Sequence, residues 1–223
     1  IVLVYFVATF FSSITGGAGL LTTPVLIFFG LSPHIALGTN KIGGVGTTSG
    51  AALGYGMQKK IDYKMGLIFM AFASAGAILG TFTVLSISEG FVKKIIGVTM
   101  IIAAVYFFIN KDVGVKTIKA KRNILAFGLF ALASGVYSGF YGAGIGILNR
   151  FMFAAFFSYT MISSAALSSF ANILTNIFSL AIFSFYGAVQ YALFIPIILA
   201  SFIGSYFGSK YAVKLGNVKI KYI

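Results

Sequence analysis

"ITGGAGLLTTP", Ile14 to Pro24, interrupts a long apolar run with Gly16, Gly17 and Gly19. Glycine weakens a helix by about 1 kcal/mol relative to alanine. An unpaired backbone group inside a bilayer costs several kcal/mol. Such a stretch predicts a purposeful helix break. The pattern recurs as "SGFYGAGIGIL", Ser138 to Leu148. Each apolar arm around "YGAG" is about 13 residues, too short at 1.5 Å per residue to cross roughly 30 Å of hydrocarbon. The arms therefore fit helical hairpins that reach midplane and return, and the glycines permit the turn.

The rest of the chain is just as apolar. Of 223 residues, 59% are hydrophobic and 9% charged, and the mean hydropathy is +1.03. Soluble domains carry about 25% charged residues, so this composition reads as an integral membrane protein whose partner is the lipid bilayer. Net charge is +13, from 16 Lys and Arg against 3 Asp and Glu. No basic soluble module accompanies that charge, which excludes nucleic-acid binding. Basic loops on the cytoplasmic side explain it instead. There is no cysteine, so disulfides and thiolate chemistry are excluded. The chain opens with "IVLVYFVATFF", with neither Met nor a basic leader, and reads as trimmed at its start.

Apolar segments span Ile1–Ile14, Leu20–Phe29, Ile35–Met57, Met65–Leu85, Phe91–Ile109, Ile124–Tyr137, Ile145–Phe157, Tyr159–Tyr186 and Tyr191–Tyr206. None alternates with period 2, so all are expected to be helices. The polar stretch Asn110 to Asn123 divides the chain. The expected organisation is residues 1–110 as one membrane repeat, a basic cytoplasmic linker over 111–122, and a second repeat over 123–223. "GGAG" at Gly16–Gly19 matches "YGAG" at Tyr141–Gly144. Further on, Tyr63 falls on Tyr191, Gly76 on Gly204 and Gly80 on Gly208. Gly pairs four apart also describe a close helix-packing face. By the same offset the counterpart of Phe91 is Lys219, so a final helix is expected beyond Ile223.

Positive charge orients the halves. Lys59–Lys64, Lys111–Arg122 and Lys210–Lys221 are the richest loops and are expected inside. The uncharged "YGAVQY" turn is then outside, which forces Ile124–Phe157 to enter and leave on one face. The fold expected is all-α, with two inverted repeats, each a re-entrant hairpin plus three transmembrane helices. Lys93 and Lys94 fall outside in this arrangement and count against it. The competing arrangement has kinked full spans and parallel repeats. Broken helices at matching positions of two inverted halves point to a transporter's binding site.

The residues near the breaks favour an anion. Helix N-termini at Gly19 and Gly144 present free N–H groups and partial positive charge. Lys41 lies about eight residues into a helix that Ser32 and Pro33 begin, and an ionisable group there is a functional candidate. Thr39 and Asn40 flank it. Asn40 and Lys41 map onto Ser168 and Ser169, with Asn172, Thr175 and Asn176 following at helical spacing. Arg150, beside Asn149, reads as a second anion-attracting charge or, with more weight, as an anchor at the cytoplasmic face. His34 reads as interfacial, and a lone His makes no metal site. Asp62, Glu89 and Asp112 all lie in loops. No intramembrane carboxylate is available for protons or Na⁺, nor a carboxylate pair for catalysis. Na⁺ held by backbone carbonyls at a break stays open. No cofactor, metal or enzymatic activity is expected.

"GGAGLLTTPVLIFFGLSPHIALGTNKIGG" resembles the first-repeat motif of the TauE/SafE family of sulfite and organosulfonate exporters. "GFYGAGIGIL" and "SSFANILTNIFSLAIFSFYGAVQY" resemble its second-repeat motif. The resemblance covers nearly the whole chain. It implies a carrier of small anions such as sulfite or sulfoacetate in a prokaryotic plasma membrane. It also implies a substrate region at Gly16, Gly17, Gly19, Tyr141, Gly142, Gly144, Thr39, Asn40 and Lys41. Many relatives carry Lys where this chain has Ser169, and Arg150 is a departure that would restore a second cation. An inside-negative potential of about 100 mV favours anion exit by about 2.3 kcal/mol per charge, so export is the expected direction. A carboxylate carrier and an anion channel are the alternatives. A homodimer is compatible with the sequence.

Overall fold

The computed structural model describes residues 1–98 and 124–220. The linker over 111–122, Asp112 and most of the expected Phe91–Ile109 segment lie outside the described residues. Among those described, the regular structure is helical. Helices α1 (Val2–Thr15), α2 (Gly19–Phe28), α3 (Pro33–Gly56) and α4 (Tyr63–Leu85) come first. Residues 89–98 form α5. Then come α6 (Ile124–Phe140), α7 (Ile145–Phe156), α8 (Met161–Phe185), a single 3₁₀ turn (Tyr191–Leu193) and α9 (Phe194–Ile220).

Local chemistry sets most boundaries. Pro33 occupies the first position of α3 behind Ser32, where its missing N–H is no loss. Ser32 does not cap the helix, because its hydroxyl donates to Glu89 at 2.6 Å. Asp62 caps α4 by accepting from the Met65 N–H at 3.2 Å, and Thr160 caps α8 through Ser163 N–H. The last apolar segment continues as helix past Tyr206, until Gly216 breaks its geometry at φ 75°. Its apolar, aromatic stretch ends before its helix does, which is why the expected boundary falls short.

Helices α4 (23 residues), α8 (25 residues) and Tyr191–Gly216 (26 residues) are long and apolar enough to cross a membrane. Four shorter apolar helices, α1, α2, α6 and α7, accompany them. Large apolar side chains such as Leu3, Phe28, Leu125, Phe185 and Ile195 lie on the outer surface, as lipid-facing positions do.

The packing crosses between the two ends of the chain. Helix α4 lies along α6 and α8, and α9 lies along α1 and α3. Small residues make these crossings close. Gly76 and Gly80 sit on the α6 backbone near Leu132 and Val136, and Gly135 and Gly139 sit against Ala73 and Ala77. Gly204 and Gly208 sit on the α1 backbone at Phe6 and Phe10. The glycines matched in sequence thus do matching work, each pair seating a long helix against the first helix of the other half. A stripe of Gly46, Gly50 and Gly54 brings α3 onto α9. A knot of Phe69, Phe127, Phe153 and Phe157 fills the space between α4, α6 and α7.

Candidate functional site

Both expected breaks are present. Helix α1 ends at Gly16, and Gly16 and Gly17 turn the chain at φ 95° and 88°. Helix α6 ends at Phe140, and Gly142 and Gly144 turn it at φ 77° and 78°. A side chain is strained in that region, which accounts for the residue choice. The two turns touch. A Cβ on Gly16 would lie 2.7 Å from the Ile147 nitrogen, and one on Gly19 would lie 3.1 Å from Ala143 Cα. The backbones approach this closely only because neither glycine has a side chain.

Beside this junction is a cavity of about 120 Å³, roughly ten times the space one water needs. It suits a small oxyanion with a few waters. Gly16, Gly17, Gly19, Gly142, Gly144 and Tyr141 line it from the breaks. Asn40 and Lys41 line it from α3, Ser168, Ser169 and Asn172 from α8, and Arg150 from α7. The expected site residues therefore converge, with one correction. Thr39 is fully buried away from the cavity, and its hydroxyl accepts from the Gln190 N–H at 2.9 Å. At about 100° of helix turn per residue, Thr39 lies about 200° from Lys41 and so faces the other side of α3. Thr175 is buried as well but is not part of the lining.

The two cations arrive from opposite halves. Lys41 is 5% exposed, and its Nζ donates to the Ser138 carbonyl near the end of α6. Arg150 is also 5% exposed, and its Nη2 donates to the Ser12 carbonyl near the end of α1 at 2.9 Å. The anchor reading of Arg150 is thereby corrected. Helix α7 turns the side chain into the protein, where it is buried. Each cation sits on the negative end of a broken helix. Neither has a carboxylate partner. Among the described residues the acids are Asp62, which caps α4, and Glu89, which lies 3.6 Å from His34. His34 also meets the Val84 carbonyl at 3.0 Å, so it ties α3 to α4.

Neutral groups add donors. Asn40 is oriented through its Oδ1, which accepts from Tyr5 Oη at 2.9 Å and lies 2.7 Å from Thr22 Oγ1. Its Nδ2 is left facing Gly19. At the starts of α2 and α7 the N–H groups of Ala18, Leu20, Leu21, Ile145 and Ile147 already donate, to Ser12 Oγ and to the carbonyls of Gly17, Ala18, Gly142 and Gly144, and Gly19 and Gly146 line the cavity beside them. Asn149 does not contribute: its Oδ1 accepts from Ser134 at 2.7 Å inside the core. Sequence reasoning missed Tyr5, Thr9, Ser12, Ser13, Thr22, Thr47, Thr48 and Ser138, all in the lining. A signal existed for two of them. Ser12 and Ser138 each lie four residues ahead of a turning glycine, on the face that meets the break. No cluster of metal-ligating side chains occurs among the described residues.

A helical membrane protein with a cation-bearing cavity between two broken helices is the class these features define. The family model described as "Sulfite exporter TauE/SafE" matches residues 1–223, and the chain belongs to that family. It is 29% identical over 217 residues to "Probable membrane transporter protein ORF9" of Sinorhizobium sp, covering 97% of this chain and 83% of that protein. It is 28% identical over 217 residues to a "Probable membrane transporter protein" of Haemophilus influenzae, covering 97% and 85%. To "Probable membrane transporter protein YfcA" of Escherichia coli K12 it is 27% identical over 215 residues, covering 96% and 80%. No solved structure matches significantly.

Proposed function

We propose that this membrane transporter carries small sulfur-containing oxyanions, such as sulfite or organosulfonates, through the cavity between the two breaks. The observation that carries the reading is the pair of buried cations, Lys41 and Arg150, with no carboxylate in the cavity lining among the described residues. A buried charge without a partner is strongly unfavourable, so the site is built for a mobile counter-ion. The helix starts at Gly19 and Gly146 and the Asn40 amide lie in the same lining and are of the kind that hold oxyanions. The sulfur in the substrate comes from the family's description, since the donors would suit a carboxylate equally.

The finer architecture belongs to the same reading. Residues 1–110 and 123–223 are two inverted repeats, and each break is a re-entrant hairpin that stops near midplane. What supports this is the exchange of partners, α4 with α6 and α9 with α1, and the short arms of 14, 10, 17 and 12 residues. Rocking of the halves around their touching glycines would expose the cavity to one side at a time. Export across the plasma membrane follows from the potential, which drives an anion outward without a coupling ion.

The test is ligand-induced stabilisation of the detergent-purified protein by sulfite, sulfoacetate, sulfate and acetate, alongside Lys41→Ala. A sulfur-oxyanion shift that vanishes in the variant is expected. A shift with acetate alone would replace the substrate by a carboxylate. Undiminished binding in Lys41→Ala would remove the site.

A further inference from the structure

The cavity is closed differently at its two ends. At one end α3 meets the turn that follows α8. Thr39 accepts the Gln190 N–H at 2.9 Å, and Gly38 leaves no room for a Cβ against the Ala188 carbonyl. Leu37, Phe183 and Val189 are buried in the apolar cluster at this end. The turn's own backbone makes the closure, so moving one side chain would not release it.

At the other end side chains make the closure. Along α3 the lining includes Asn40, Gly44, Thr48 and Ala51. Four positions further, on the same helix face, comes Tyr55, which is outside the lining and fully buried. It shares an apolar cluster with Ala51, Ile14, Ile162, Ala165 and Ala166. These residues continue the lining helices. Ile14 follows Ser13 on α1, and Ala165 lies one turn before Ser169 on α8. The cluster is therefore a floor under the cavity. Beyond it α3 ends at Gly56, and Lys59 and Lys60 are exposed. Tyr55 is the largest buried member of this floor, and its hydroxyl donates to the Ser13 carbonyl at 2.6 Å. The other buried members are alanines and isoleucines, so one ring provides most of the barrier that a single rotation or shift could remove.

We propose that Tyr55 is the gate between the cavity and the face that carries Lys59 and Lys60. Its ring fills the floor, its hydroxyl latches α3 to the end of α1, and release of that latch opens the path for the anion. The inference rests on the carrier reading above and adds a gate to it.

The chain has no cysteine, so introduced thiols report access. Ser169→Cys places one in the lining. Lys59→Cys and Gln190→Cys, at exposed positions, mark the two faces. Membrane vesicles of either orientation are treated with the impermeant anion 2-sulfonatoethyl methanethiosulfonate. From the Lys59 side, Tyr55→Ala is expected to speed modification of Ser169→Cys by about tenfold or more. Tyr55→Phe keeps the ring and loses the latch, and should speed it by about fivefold, the factor that an ordinary net hydrogen bond supplies. From the Gln190 side neither variant should change the rate. Unchanged rates from the Lys59 side would overturn the gate. Equal acceleration from both sides would overturn it too, since it would mean general loosening. Tyr55→Phe decides even if Tyr55→Ala does not fold. These rates require no bound anion, so failure of the gate leaves the anion reading intact, and failure of anion binding leaves the gate to be decided by access alone.

Discussion

At the first break, Gly16 and Gly17 turn the chain and Arg150 reaches the Ser12 carbonyl from the other half. At the second, Gly142 and Gly144 turn it and Lys41 reaches the Ser138 carbonyl, again from the other half. The exchange is reciprocal, but the parts differ. The first break is pressed against α7, with the Ile147 nitrogen 2.7 Å from where a Gly16 Cβ would be. At the second, a Cβ on Gly142 would meet the Ser138 carbonyl of α6 at 2.8 Å, while nothing comes nearer than 3.6 Å to one on Gly144. Lysine has a compact ammonium that one carbonyl partly satisfies. Arginine spreads its charge over three nitrogens, and two of them stay unpaired. The comparison teaches that two helix breaks can each carry a cation on the preceding helix end while the residue, the helix and the packing that supply it differ.

Removing both cations should break the site most completely. Lys41→Met with Arg150→Met is expected to weaken anion binding by roughly 1,000-fold or more, as loss of buried charge contacts does; calorimetry measures it. Next comes the tight turn. Gly16→Ala combines a positive φ with a backbone clash and should destabilise the protein by about 3 kcal/mol or more, seen as a lower unfolding temperature. Arg150→Met alone should act in the reverse direction. Replacing a buried, half-satisfied charge by an apolar side chain of similar length is expected to stabilise the empty protein by about 1–4 kcal/mol. The same variant should lose the stabilisation that anions confer, and a drop in unfolding temperature without anion would contradict the comparison. Gly144→Ala, with space around it, should cost only about 1–2 kcal/mol. Thr39→Val should be the mildest for function. Anion affinity is expected to hold within about twofold, while stability falls by about 1–3 kcal/mol because the Gln190 N–H is left unpaired.

Much of this was legible in the chain. The glycine breaks stood out because Gly16, Gly17 and Gly19 crowd one turn instead of recurring four apart as packing glycines do. Lys41 stood out because charge in a membrane helix is rare. Arg150 could not be placed by the same logic. A cation six residues after a break is equally near a membrane face and a neighbouring helix, and its direction depends on how α7 packs. Thr39 misled for a related reason, because two residues along a helix is about 200° of turn and puts it on the face opposite Lys41. Ser12, Ser13, Thr47 and Thr48 look like ordinary small polar residues of close-packed membrane helices, and only their convergence gives them a role.

By itself the sequence determined that this is a helical membrane protein, where its helices break and that Lys41 lies within an apolar segment near them. Those properties follow from composition, hydropathy and backbone freedom, which are local. Tertiary structure alone decided that each cation serves the other half's break, and that Arg150 is inside and Thr39 is not. Those depend on which faces of separate helices meet, and close contacts between residues more than 90 positions apart leave no mark in the local pattern.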